Sequence, residues 1–254
     1  SIDSVNLDIS LDPTLTTVRA IMKLRPNPSS SEPDAALVLD GERISLQSIA
    51  IDGAALSADQ WEASAETLTI FRVPQQEFVL DMVTVCNPKS NTELSGLYIS
   101  NGVFCTQCEA EGFRRITYFP DRPDVLAVYT TRIEADRDEA PVLLANGNRI
   151  DAGPLADGRH YAVWHDPFPK PSYLFAMVAG RLACVADRFV TRSGRPVALE
   201  IYVEPGKENR CAYAMDALKR AMRWDEEVFG LEYDLDVFMI VAVSDFNMGA
   251  MENK

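Results

Sequence analysis

The sequence predicts a mostly β protein: an all-β sandwich over roughly the first 180 of 254 residues, then the start of an α/β or α+β unit carrying one helix. Three observations predict it. Apolar and polar residues alternate in short runs, Asx-Gly pairs recur between those runs, and one late stretch carries an apolar stripe at helical spacing.

Val5, Leu7, Ile9 and Leu11 share one parity, and Val18, Ala20, Met22 and Leu24 share another after Asp12-Pro13. Two half-buried strands around a turn account for both sets. The Pro-, Ser- and Asn-rich stretch 26–34 reads as a surface loop. Strand-like runs follow at 36–39, 48–51, 67–73 and 78–86, with Asp52-Gly53 at a turn. Asn101-Gly102 is a strong hairpin signal, because a two-residue I′ turn needs positive φ twice; it joins 96–100 to 103–107. Asn146-Gly147 marks a second hairpin and Asp157-Gly158 a third.

The pattern changes after Arg181. Runs at 189–191 and 197–203 precede a helix over 209–229, whose stripe is Cys211, Met215, Leu218, Met222 and Phe229, widened by Ala214, Ala221 and Val228. Asp225 falls on that stripe, either at its edge or paired with a buried base. Asn209 can cap the start and Gly230 can take the left-handed position after the end. The run 237–243 is apolar without alternation, as expected of a strand covered on both faces.

A formal charge of −14 disfavours nucleic acid and anionic membranes as partners; it would favour cationic ligands, although solubility alone explains many acidic proteins. The five cysteines, Cys86, Cys105, Cys108, Cys184 and Cys211, show no disulfide-framework spacing and suit a reducing compartment. Cys105-x-x-Cys108 has no second pair and opens no helix, so it reads as free thiols. Glu200 and Glu204 read as solvated charges at a strand end. No signal-peptide pattern and no apolar run long enough for a membrane span is visible, which makes a soluble cytoplasmic protein the expectation.

The most specific signal is Gly249-Ala250-Met251-Glu252-Asn253. With it stand Cys105-Thr106-Gln107-Cys108-Glu109-Ala110-Glu111-Gly112-Phe113-Arg114-Arg115, Asp121-Arg122-Pro123-Asp124-Val125-Leu126, Asp166-Pro167-Phe168-Pro169-Lys170-Pro171 and Trp224-Asp225-Glu226. The pentapeptide resembles the exopeptidase motif of the aminopeptidase N family residue for residue, and the other segments resemble its bacterial branch. The resemblance runs from about Gly96 to Lys254.

It implies a saddle-like N-terminal β-sandwich domain, 1–181, followed at 182–254 by the incomplete start of a thermolysin-like α/β catalytic domain. It also implies zinc-dependent release of N-terminal amino acids from peptides by a monomeric, cytoplasmic parent enzyme. The zinc ligands are expected downstream of Lys254. None is expected in this chain, whose only histidines, His160 and His165, lack ligand spacing, so the chain alone is expected to be inactive.

A peptide ammonium is a compact cation with three donors, which converging acceptors can satisfy. By the resemblance, Glu109 and Glu252 bind it, and the Gln107 side-chain oxygen can add a neutral acceptor. Gln107 and Glu109 share a face if the strand from Val103 continues. Gly249 and Ala250 let the substrate backbone approach and pair as an added strand, and Met251 and Asn253 complete the segment. Met248 resembles the flexible residue cushioning the first side chain. A cis peptide is implied next to the first segment, at Glu109-Ala110. A rival from another class is a non-catalytic β-sandwich adaptor, in which Glu109 and Glu252 would face separate surfaces.

Overall fold

A computed structural model describes residues 1–26 and 35–254; the loop expected at 26–34 lies, except for Pro26, outside the described residues. Strands β1 (Ile2–Ser10) and β2 (Thr16–Leu24) pair antiparallel around a turn where Asp12 accepts from the amides of Thr14 and Leu15. All eight alternating residues singled out above are buried, so the period-two reading holds. After β3 (Leu37–Asp40), β4 (Ser45–Ile51) turns at Asp52-Gly53 into β5 (Ala54–Ala55), both turn residues having positive φ. β6 (Trp61–Ala63), β7 (Thr67–Ile70) and β8 (Phe78–Cys86) follow. β9 (Gly96–Ser100) and β10 (Val103–Gln107) form the predicted hairpin, with φ of 47° at Asn101 and 79° at Gly102.

The next strands are β11 (Leu126–Asp136), β12 (Val142–Ala145), β13 (Asn148–Pro154), β14 (Arg159–Pro171) and β15 (Met177–Gly180). The order β13-β14-β11-β1-β2-β8-β4-β5 makes an eight-stranded sheet, antiparallel except for β1 beside β11. A four-stranded sheet, β12-β15-β10-β9, and a small one, β3-β7-β6, complete the sandwich. Its core joins Val5, Met22 and Met82 to Leu39, Leu68, Phe104 and Leu143 across the sheets. Asp157-Gly158 turns between paired β13 and β14 as predicted.

Asn146-Gly147 does not make a hairpin. β12 pairs with β15 and β13 with β14, in different sheets, so the turn carries the chain from one sheet to the other. Gly147 has φ 90°, and a Cβ there would meet the His165 carbonyl oxygen at 2.1 Å. Glycine is therefore required by close approach as well as by conformation.

Beyond Gly180, β16 (Ala183–Val190), β17 (Pro196–Val203), α1 (Ala212–Val228) and β18 (Val237–Val241) form a strand, helix and strand unit with β17 and β18 parallel. The helix is shorter than 209–229. Asn209 lies in a preceding 3-10 turn, Glu208–Arg210, and Cys211 is the cap residue, without a side-chain capping bond. Gly230, with φ 68°, does end the helix.

The stripe runs Cys211, Met215, Leu218, Met222 and then Glu226 instead of Phe229. Position 226 is the next on that face. Glu226 is tolerated there because it accepts from the Arg192 amide (3.0 Å) and Arg223 Nη1 (2.7 Å). Asp225 is exposed, and Phe229 lies past the last turn, stacked edge-on against exposed Trp224.

β18 is half-buried throughout rather than fully covered: Phe238 and Ile240 meet the helix side, Val237, Met239 and Val241 the main core. Tyr213, Trp224, Val228, Phe229 and Leu231 leave apolar surface exposed.

Candidate functional site

The first recognition segment begins where β10 stops. The Gly112 amide bonds the Cys108 carbonyl at 2.8 Å, closing a turn, so Glu109 leaves the strand. This corrects the shared-face reading: Gln107 is 1% exposed and Glu109 is exposed. The Glu109–Ala110 peptide is cis, where the resemblance placed it. A Cβ at Gly112 would lie 2.4 Å from the Gln107 carbonyl and 2.9 Å from the Gly96 amide, so the turn is drawn against both strands of the hairpin.

Behind the turn, Phe113 is fully buried, edge-on to Phe119, Tyr129 and Phe175 with centroids 5.0, 5.9 and 5.2 Å away. Asp121, also buried, accepts from the Arg114 amide (3.1 Å), Arg114 Nε (3.3 Å) and the Ser172 hydroxyl. Burial pushes its carboxyl up, opposed by those donors. The side-chain amide of Gln107 has neither polar atom partnered among the described residues. A buried polar group left unmatched costs about 1–3 kcal/mol, so this amide favours any ligand or water that reaches it.

The second segment is tied down at both ends. Asp245 exchanges bonds with Ser100 (2.8 and 2.9 Å), its carbonyl accepts from Tyr98 Oη (3.0 Å), and Asn247 donates to the Leu94 carbonyl (3.1 Å). Just before it, Ser244 and Asn101 both donate to Glu204, which Lys207 also contacts. Together these donors hold the Glu204 carboxyl down at about 2. Glu204 is thus a tie and not the freely solvated charge expected. Glu200 lies within β17 and accepts from Tyr202 Oη (2.7 Å).

At the far end, the Asn253 carbonyl accepts from Asn146 Nδ2 (2.7 Å), and its own Nδ2 donates to the Leu174 carbonyl (3.2 Å). Lys254 Nζ pairs with Asp234 (2.7 Å) and sits 4.3 Å from the Phe168 ring centroid.

Strand register places the Leu94 and Asn146 anchors at one end of a sheet, whereas Ser100 lies at the other end of β9. Gln107 pairs with Gly96, Cys105 with Val178, and Ala145 with Met177. Leu94, Gln107, Ala176 and Asn146 therefore share one end of the sheet β12-β15-β10-β9. Residues 248–252 join an anchor beside β9 to anchors beside β15 and β12, and β10 lies between those strands in the sheet. Met248, Gly249, Ala250 and Glu252 are exposed there, and Met251 and Asn253 half-buried. No ion pair among the described residues involves Glu109 or Glu252, although Glu111 pairs with Arg114 and Lys254 with Asp234. Sequence reasoning missed Asn146, Tyr98, Ser100 and Asp245, whose contacts join residues more than 100 positions apart.

The residues present do not fit zinc. His160 Nε2 lies 2.7 Å from the Ala140 carbonyl and His165 Nδ1 2.9 Å from Thr130 Oγ1, and no group of three or more His, Cys, Asp or Glu among the described residues could hold a metal. All five cysteines are free; burial pushes the Cys105 thiol up to about 12 and Cys108 well above its ordinary value, which suits neither ligation nor redox exchange. No helix among the described residues is long and apolar enough to cross a membrane.

The family model described as the Peptidase M1 N-terminal domain matches residues 3–174, and the Peptidase family M1 domain matches 213–254. The chain is 59% identical over 254 residues to Aminopeptidase N of Caulobacter vibrioides, covering all of this chain and 29% of that protein. It is 51% identical over 253 residues to Aminopeptidase N of Escherichia coli, covering 28% of it. The chain thus spans less than a third of these relatives. Among solved structures, aminopeptidase A of Legionella pneumophila in complex with aspartic acid superposes with a TM-score of 0.94 at 39% identity, over all of this chain and 30% of that one. An M1 zinc metallopeptidase of Deinococcus radiodurans, at 17% identity and a TM-score of 0.77 over 95% of this chain and 56% of that one, shares the fold.

Proposed function

Because the chain belongs to peptidase family M1, we propose that it is the amine-recognising part of a zinc-dependent aminopeptidase, in which Glu109 and Glu252 hold the free N-terminal ammonium of a peptide. One observation carries the reading. Two carboxylates with no ion-pair partner among the described residues stand on segments anchored at the end of the sheet where the buried Gln107 amide also has no partner among those residues. Carboxylates brought close repel each other, and an ammonium with three donors relieves that repulsion. An acetylated terminus or an internal residue brings no such charge.

Gly249 fits the same picture: a Cβ there would meet no protein atom within 4 Å, so internal packing does not demand glycine. The open space suits a substrate backbone lying along the segment as an added strand. Ala250 is equally small and exposed, and Met248 offers an adaptable thioether to the first side chain. Asn253 ties down the segment's end through its two hydrogen bonds, and Met251 is half-buried within it. We take 1–181 as the β-sandwich domain and 182–254 as the start of the catalytic domain. The metal ligands are assigned to the part of the enzyme that the relatives carry beyond the matched region, and the residues of this chain bind the substrate's N-terminal end. Five free cysteines suit a cytoplasmic enzyme.

Calorimetry on the full-length protein tests the reading with leucine, N-acetyl-leucine and 4-methylpentanoate, which lacks the amine. Leucine should bind at least about 30-fold more tightly than either analogue, as expected when a paired charge is lost. Equal binding of all three contradicts it.

A further inference from the structure

The turn between β12 and β13 does more than join two sheets. Its glycine is seated on the β14 backbone, and the asparagines on either side of it each grip a different segment. Asn148 accepts from the Asp236 amide (2.9 Å) and donates to its carboxylate (3.1 Å), holding the entry to β18. Asn146 makes three bonds. Its Oδ1 accepts from the Ala176 amide (2.7 Å), and its Nδ2 donates to the carbonyls of Leu174 (3.1 Å) and Asn253 (2.7 Å).

We propose that Asn146 is a positioning residue for amine recognition, locking the segment that carries Glu252 to the sheet that ends in Gln107 and leads into Glu109; this rests on the amine-binding function proposed above. One amide bridges the two. Ala176 precedes Met177, which exchanges bonds with Thr106 Oγ1 (2.8 and 3.2 Å), next to Gln107. On the other side, Asn253 follows Glu252 directly, and its carbonyl, in the peptide to Lys254, and its side chain, bonded to Leu174, pin the chain one residue beyond Glu252. A carboxylate that must meet a cation held from the opposite segment loses effect when its backbone drifts by about 1 Å.

The turn itself does not need this side chain. Positive φ falls on Gly147, not on Asn146. In Asn146→Ala, the Leu174 carbonyl keeps the Asn253 Nδ2 donor, whereas the Ala176 amide loses its acceptor and the Asn253 carbonyl its donor. Asn146→Asp keeps the acceptor for Ala176 but turns a carboxylate oxygen toward two carbonyls, so it should hold the loop and release the motif.

The test uses the full-length protein and two readouts: the affinity ratio of leucine to 4-methylpentanoate, and hydrogen exchange at the amides of 248–253. Because it is a ratio, the first is insensitive to a loss of folded molecules. In both N146A and N146D the ratio should fall about tenfold, the loss of one or two hydrogen bonds' worth of alignment, and exchange at 248–253 should rise while that of β9 and β10 stays unchanged. A wild-type ratio retained by both variants overturns the inference, as does unchanged exchange at 248–253. Wild-type protein with no preference for leucine over 4-methylpentanoate sinks the amine-binding function itself, and this inference with it.

Discussion

In the full-length enzyme, Glu252→Ala should lower kcat/KM on free-amine dipeptides by roughly 100-fold, about 2.7 kcal/mol, with most of the loss in KM. Glu109→Ala should do the same to a comparable degree. On the proposed amine-binding function each removes one of two carboxylates that hold the ammonium, and charge-assisted contacts of this kind are worth about 1.5–3 kcal/mol. An amine held equally in ground and transition states would put most of the change in KM. Glu252→Gln keeps an acceptor without the charge and should fall between. Glu111 provides the control: it stands two residues from Glu109 on the same exposed turn, but pairs with Arg114 at 3.5 Å across the surface. Glu111→Ala should change kcat/KM by no more than about threefold. Steady-state kinetics on one dipeptide series separates these cases, and equal rates for wild type and Glu252→Ala would count against the assignment.

Phe113→Ala should destabilise the protein by about 3–5 kcal/mol, the largest single loss expected in the sandwich. Phe113 is fully buried and meets three aromatic rings edge-on, the geometry that the ring quadrupoles favour. Truncation leaves a cavity that Phe119, Tyr129 and Phe175 cannot fill, because each is held in its own strand or turn. Phe113→Leu should cost about 1–2 kcal/mol. Because Phe113 directly follows Gly112, a folded fraction of the alanine variant should also bind leucine more weakly. Denaturant unfolding reads the first effect as a lower midpoint at unchanged slope.

How much of this was legible in the sequence depends on how local each signal is. Val5, Leu7 and Ile9 announced β1, and Phe78–Cys86 announced β8, because a half-buried strand writes its own period. Asn101-Gly102 gave its hairpin because both residues adopt positive φ between paired strands. Asn146-Gly147 looked the same and was not, since a dipeptide specifies a turn but not what the flanking strands pair with. β11 went unread: its buried face is Ala127, Tyr129, Thr131, Ile133 and Ala135, where small and hydroxyl-bearing residues dilute the alternation. Glu226 was hidden because a buried acid is indistinguishable from a surface one until Arg192 and Arg223 are seen beside it. In the candidate site, the residue types at Glu109 and Glu252 were readable from their motifs. The anchors that bring those motifs to one sheet end were not, because Tyr98–Asp245 and Asn146–Asn253 contacts leave no trace in local sequence.

The most direct test is a crystal structure of the full-length protein with leucine bound. The ammonium nitrogen should lie within about 3 Å of a carboxylate oxygen from both Glu109 and Glu252, with the Gln107 amide at the same pocket wall. Leucine bound with its ammonium against solvent or another group, and the two carboxylates turned to separate surfaces, would contradict the account.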